Sequence, residues 1–226
     1  MGKTMSNKMD WMKYFDEKQK KEKDLYRKAS YNSIRSLKLR LNPVSEILDE
    51  IDVNSFVLDA GCGVGLFLNL LKEKGFRNVI GIDISLNAIK ESRKLCKYDL
   101  IVGSITELPF KANVFDVILN IEVLMHIMDI QKVFSEFGRV LKCGGSLILI
   151  TANPDRIFAK SKHPSMILRR KEDIIPILGK EGFSIKKIID LPIPIRLGAF
   201  LFKIVKKLHI PLDLCHSFLI YAIKEK

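Results

Sequence analysis

The chain has 226 residues, 47% of them hydrophobic and 28% charged, and carries a net charge of +12 at pH 7. That composition excludes a disordered or fibrous chain and gives enough length for one large α/β domain with a core of its own. Cysteines occur only at 62, 96, 143 and 215, which excludes a CxxC redox pair, a CxxC metal site and a disulfide scaffold, and points to a reducing, cytoplasmic setting with no bound metal.

Met1 to Ser6 lack the apolar run of a secretory signal, although they fit the loose M-G-x-x-x-[ST] myristoylation pattern. Residues 10–40 read as helix, with Trp11, Tyr14, Phe15, Leu25, Ile34, Leu37 and Leu41 as apolar anchors. Pro43, at a first helical position, is expected to open a separate short helix over 44–51. The expected organisation is an N-terminal helical arm over 1–41 and a main domain over 42–226.

Strands are then expected over 56–60, 78–82, 100–102, 114–119 and 146–151, separated by helices over 65–74, 86–97 and 130–141. Gly75 stops the first of these helices, and Gly144 with Gly145 marks a turn into the strand at 146. Beyond Asn153 and Pro154 come a basic loop over 155–170, a helix over 171–180 that ends at Gly182, and a strand over 185–191. A helix over 196–209, inside a late insertion at 192–213, precedes a last strand over 217–223. Strand and helix alternating at this spacing predict an α/β fold: a doubly wound, mostly parallel seven-stranded sheet with helices on both faces. No stretch reads as a bilayer span, since the most apolar late segment is broken by Pro192, Pro194 and Arg196.

The charge is unevenly spread. Residues 1–40 hold 12 Lys/Arg against 5 Asp/Glu, residues 41–155 hold 11 against 15, and residues 156–226 hold 15 against 6. A mildly acidic middle is thus flanked by two basic arms. They either form a positive rim for an anionic partner or simply keep helix surfaces solvated.

The informative stretch is 57–65, Val-Leu-Asp-Ala-Gly-Cys-Gly-Val-Gly, a strand running through glycines into a helix. Gly61, Gly63 and Gly65 let the backbone turn tightly and let a ligand come closer than a Cβ would permit. At the carboxyl end of the first strand, such a turn lies at the crevice where open parallel sheets bind ligands. Both G-x-G-x-x-G frames fail, because Leu66 or Leu68 stands where the third glycine belongs, and no G-K-[ST] of a phosphate loop follows. Asp59 at the start of the turn would repel a pyrophosphate and suits a ligand end carrying a cation. Asp83 closes the second strand about twenty residues past the glycines, where a carboxylate accepts both hydroxyls of a ribose; Ser85 is the better cap for the next helix.

These stretches, together with Gly103-Ser104-Ile105-Thr106-Glu107-Leu108-Pro109-Phe110, residues 115–127 and residues 139–149, resemble a class I S-adenosylmethionine-dependent methyltransferase of the "type 11" group related to the ubiquinone and menaquinone biosynthesis methyltransferases. The resemblance covers about residues 45–151. It implies that the backbone at Gly61, Cys62 and Gly63 approaches the methionine part of S-adenosylmethionine and that Asp59 orients that turn and the amino group. It further implies Asp83 on the ribose, Ile84 against the adenine, Ser104 and Ile105 along the adenine edge, and Asn120 and Ile121 under the sulfonium. Ser104 departs from the acid that the family often carries there.

The implied reaction is an in-line displacement at a methyl group that the cofactor already activates, so alignment and exclusion of water suffice and no triad is needed. His126 is the candidate base, or else a residue that packs the pocket; Glu122 is a candidate structural partner. No N-P-P-[FY] run follows the fourth strand, and no cysteine stands where covalent attack on a pyrimidine would need one. The apolar stripe of Leu197, Phe200, Leu201, Ile204 and Val205 lines a substrate tunnel, lies on a membrane surface, or packs on the sheet. A small, partly apolar and anionic acceptor satisfies both the stripe and the basic arms. The competing expectations are a tRNA acceptor and a cofactor-binding partner subunit without turnover.

Overall fold

The computed structural model describes residues 33–154, 166–192 and 215–225, with positions 17, 23, 24 and 29 ahead of them. The expected arm helix before residue 33, the loop at 155–165 and the helix over 196–209 lie outside the described residues.

The described part begins with α1, Ile34–Leu48, whose Ser33 cap accepts a hydrogen bond from the Ser36 N–H. Pro43 does not open a second helix: it lies inside α1, which runs unbroken across 41–42. A proline within a helix removes one backbone bond and costs about 3 kcal/mol. The cost is outweighed because Leu37, Arg40, Val44, Ile47 and Leu48 form one continuous buried stripe through it.

Then follow β1 (Phe56–Ala60), α2 (Leu66–Glu73), β2 (Asn78–Asp83), α3 (Leu86–Ser92), β3 (Asp99–Val102) and β4 (Phe115–Ile121). A short 3-10 turn at Leu124–His126 leads to α4 (Ile130–Val140), β5 (Leu141–Ala152), α5 (Lys171–Lys180), β6 (Phe183–Pro192) and β7 (Cys215–Lys224). The glycine pair at 144 and 145 sits inside β5, not ahead of it: Phe115 pairs with Leu141 and Val117 with Ser146, so the intervening residues bulge out of register. Helix α3 stops at Ser92, short of the expected 97, and a tighter turn carries the chain into β3.

The seven strands form one sheet in the order β3-β2-β1-β4-β5-β7-β6. β7 runs antiparallel to both its neighbours, and the other strands are parallel to one another. Side chains that alternate along each strand divide the core in two. Val57, Val117, Leu119, Ile148 and Ile150 face α1, α2 and α3, whereas Leu58, Ile118, Leu147, Leu149 and Ile220 face α4 and α5. Both faces are covered, as parallel strands require. The order reverses between β1 and β4, so their carboxyl ends open the crevice expected at such a switch point.

Candidate active site

The turn after β1 depends on glycine at each alternate position. Gly61, Gly63 and Gly65 all have positive φ, at 88°, 53° and 85°. A Cβ on Gly61 would run into the Val123 methyls and one on Gly65 into the Ser92 side chain, but one on Gly63 would meet open space. Gly63 is therefore the face a ligand can approach. The turn is also internally bonded: Gly61 and Cys62 both donate to the Ile82 carbonyl (2.8 and 3.0 Å), and Gly65 donates to the Cys62 carbonyl (3.0 Å). With those N–H groups engaged, the glycines contribute close approach and not a nest of donors. Cys62 is buried, and burial, then the carboxylates of Asp59 and Asp83, push its thiol well above the ordinary range, so it is an inert packing residue.

Asp83 has two tasks at once. Its Oδ2 accepts from the Gly63 N–H (2.8 Å) and its Oδ1 from the Ser85 N–H (2.9 Å), so it fixes the turn and the start of α3 together. A carboxylate bonded in this way is held in one orientation at the carboxyl end of β2. Ser85 is indeed the cap of α3, accepting from the Ala88 N–H (3.1 Å). Next to it, Ile84 is 45% exposed, an apolar side chain left uncovered beside the turn. Ser104 shares its hydroxyl with Thr106 (2.8 Å), while the Ile105 side chain is buried in the core, leaving only its backbone for a ligand.

The most demanding group is Asp59. It is buried, its Oδ2 has no hydrogen-bond partner among the described residues, and burial followed by the neighbouring Asp83 carboxylate raises its pKa to about 8. Asn120 is also fully buried: its Nδ2 donates to the Ala60 carbonyl (2.7 Å), but its Oδ1 has no partner among the described residues. Two unmet acceptors therefore stand at the carboxyl ends of β1 and β4. Buried acceptors left unpaired cost about 1–3 kcal/mol each and mark a missing donor. An ammonium is a donor of the right kind, and its positive charge favours the ionised form of Asp59 against the effect of burial. Ile121, one residue on, is buried against the α1 to α3 layer.

Beyond β4 Glu122 is the structural partner the sequence offered as a candidate, but sequence reasoning missed its backbone conformation and its partners. Glu122 adopts φ 59°, the left-handed region that large side chains avoid. Its Oε1 accepts from Arg40 Nε (2.8 Å) and from the Ser217 hydroxyl (2.9 Å), and Arg40 Nη2 donates to that same hydroxyl (2.9 Å). Arg40 is 2% exposed. The available signal was a charged residue lying on the same stripe as Leu37 and Val44.

His126 ends the next turn and is half-buried. Arg169 pins that turn by donating to the carbonyls of Leu124 (3.1 Å), Ile127 (2.8 Å) and Met128 (2.7 Å), and Ile167 N–H donates to Met125 (2.9 Å).

Comparison with known proteins gives this geometry its context. The family model described as "Methyltransferase domain" matches residues 58–149. An uncharacterized protein of Methanocaldococcus jannaschii is 34% identical over 181 residues, covering 74% of this chain and 76% of its own. The 24-methylenesterol C-methyltransferase 2 of Oryza sativa subsp. japonica is 29% identical over 158 residues, 61% of this chain but only 44% of that enzyme. In fold, the chain is similar to geranyl diphosphate C-methyltransferase from Streptomyces coelicolor A3(2), with a TM-score of 0.67 at 19% identity, covering 90% of this chain and 85% of that one.

Proposed function

The chain belongs to the class I S-adenosylmethionine-dependent methyltransferases of the type 11 group, and on that premise we propose that it methylates a small, lipid-like acceptor. The observation that carries the cofactor side of this reading is the pair of unmet buried acceptors, Asp59 Oδ2 and Asn120 Oδ1, beside a glycine turn open at Gly63. S-adenosylmethionine has an ammonium for that charge, a ribose for Asp83 and an adenine for Ile84, so the residues present fit the cofactor. When bound, it supplies a methyl group on a sulfonium, already activated for displacement.

What remains for the protein is alignment, which alone can be worth effective molarities of roughly 10⁵–10⁸ M. Asp83 fixes the ribose while bonded to the Gly63 N–H, so cofactor and turn move as one body. Asp59 holds the ammonium end. Asn120 and Ile121 shape the wall beneath the reacting centre, and Ser104 with the Ile105 backbone borders the adenine. His126, on a turn clamped by Arg169, takes the acceptor's proton where the acceptor carries one.

Support for an apolar acceptor comes from two sides: the sterol methyltransferase relative, and the apolar residues Leu197, Phe200, Leu201, Ile204 and Val205 of a lysine-bearing stretch of sequence. The basic flanks favour an anionic group on that acceptor. No helix among the described residues is long and apolar enough to cross a membrane. Incubating the protein with methyl-labelled cofactor and a fractionated cell extract tests the reading. Label is expected in the solvent-extractable small-molecule fraction; label in RNA, or none in any fraction, would overturn it.

A further inference from the structure

We propose that Arg40 and Glu122 are positioning residues: together they hold the chain after β4 in a left-handed turn that seats Val123 against the cofactor loop. The inference rests on the cofactor reading above but concerns a different part of the molecule.

The left-handed conformation is uphill for a residue with a Cβ, and it persists only where the surroundings over-determine it. At Glu122 they do so from both ends. Its backbone N–H donates to the Ile150 carbonyl (2.7 Å), extending the β4–β5 pairing by one residue. Its carboxylate is gripped by Arg40 from α1 and by Ser217 from β7. Arg40 is itself fixed from behind, since its Nη1 donates to the Ser36 carbonyl (2.9 Å) and hydroxyl (3.1 Å) one helical turn earlier. Two elements distant in sequence, α1 and β7, thus converge on one carboxylate oxygen of the chain after β4.

What the grip controls is the next residue. Val123 lies where a Cβ on Gly61 would be, with Cγ1 3.0 Å from that position, so its methyls form the floor under the first glycine of the cofactor turn. If Glu122 relaxed to an ordinary φ, Val123 would leave that floor and the Leu124–His126 turn would swing with it. A charge network on the N-terminal helix is thereby connected to cofactor affinity without any atom of α1 needing to touch the cofactor.

This makes an unusual demand on substitutions. Glu122→Ala and Glu122→Gly both delete the carboxylate that Arg40 Nε bonds, but only glycine tolerates the left-handed φ without a Cβ penalty. Binding of S-adenosylhomocysteine, followed by calorimetry, is expected to weaken at least tenfold in Glu122→Ala and to recover to within about threefold of wild type in Glu122→Gly. Hydrogen exchange at Gly61 to Gly63 in the cofactor-free variants is expected to rank in the same order. If removing the counter-charge of the buried Arg40 prevents folding, the same pair is compared on an Arg40→Met background. Glycine no better than alanine, or both binding like wild type, would overturn the proposal. Failure of wild type to bind at all would instead overturn the cofactor reading.

Discussion

Asp116 and Glu136 towards the amino ends of the parallel strands are paired, as are Asp83 and Glu122 at the carboxyl ends, but Asp59 beside them keeps an unmet oxygen among the described residues. At the amino end, Asp116 accepts from Lys142 Nζ and from the Phe56 N–H, both at 2.8 Å. Nearby, Glu136 takes both Arg139 Nε and Nη2 (2.7 Å each) and the Leu108 N–H (2.6 Å). Burial pushes Asp116 upward, but Lys142 and the Phe56 N–H more than reverse it, and Arg139 holds Glu136 below the usual carboxylate range against the effect of burial. At the carboxyl end Asp59 is raised to about 8 with an oxygen unmet. An end that satisfies its own charges is finished as a structure. An end that leaves a buried carboxylate asking for a cation is built for something that arrives later.

Asp59→Asn gives the sharpest break of that contrast. In the unfolded chain the Asp59 carboxyl ionises near its ordinary value of 3.8, but the folded protein keeps the proton until about pH 8. Its stabilising share is therefore complete below pH 3.8 and is lost as pH rises towards 8, at up to roughly 1.4 kcal/mol per pH unit. The asparagine variant is expected to lose this decline, so that chemical denaturation between pH 5 and 8 shows it gaining on wild type in the cofactor-free state. It is also expected to bind S-adenosylmethionine more weakly. Parallel pH profiles for the two proteins would contradict the assignment.

The amino end should give a smaller effect of opposite sign. Glu136 is held down, so its contribution is present at neutral pH and disappears as the medium falls below the ordinary carboxylate range. Because Arg139 is 37% exposed, solvent screens the pair. Glu136→Gln is expected to cost about 1 kcal/mol or less at pH 7, and nothing further in acid, by the same denaturation measurement. A loss several times larger would mean that the amino end is not the screened, self-satisfied region described.

How far the sequence reached follows the same division. The short apolar runs of β1, β4 and the second half of β5, the glycine stops at 75 and 182, and the Ser85 cap are local signals, and those features stand where the residues imply. The α/β sheet of seven strands and the methyltransferase family were legible for that reason. Pro43 misled because a local breaker was overruled by a buried stripe that continues on both sides of it. The Arg40–Glu122–Ser217 network was illegible because its members are separated by 82 and 95 positions and meet only once the sheet has ordered β4 beside β5 and β5 beside β7. Gly63 and Asp83 were visible as a motif, but not their hydrogen bond, which makes the turn and the Asp83 carboxylate one unit.

That unit offers the most direct test of the cofactor site. Titration of wild type and Asp83→Ala with S-adenosylhomocysteine should show the variant binding at least tenfold more weakly, about 1.4 kcal/mol, since both the diol contact and the anchor of Gly63 are lost. Equal affinity in the two proteins would mean that no nucleoside ribose rests on Asp83 and that the turn after β1 serves another ligand.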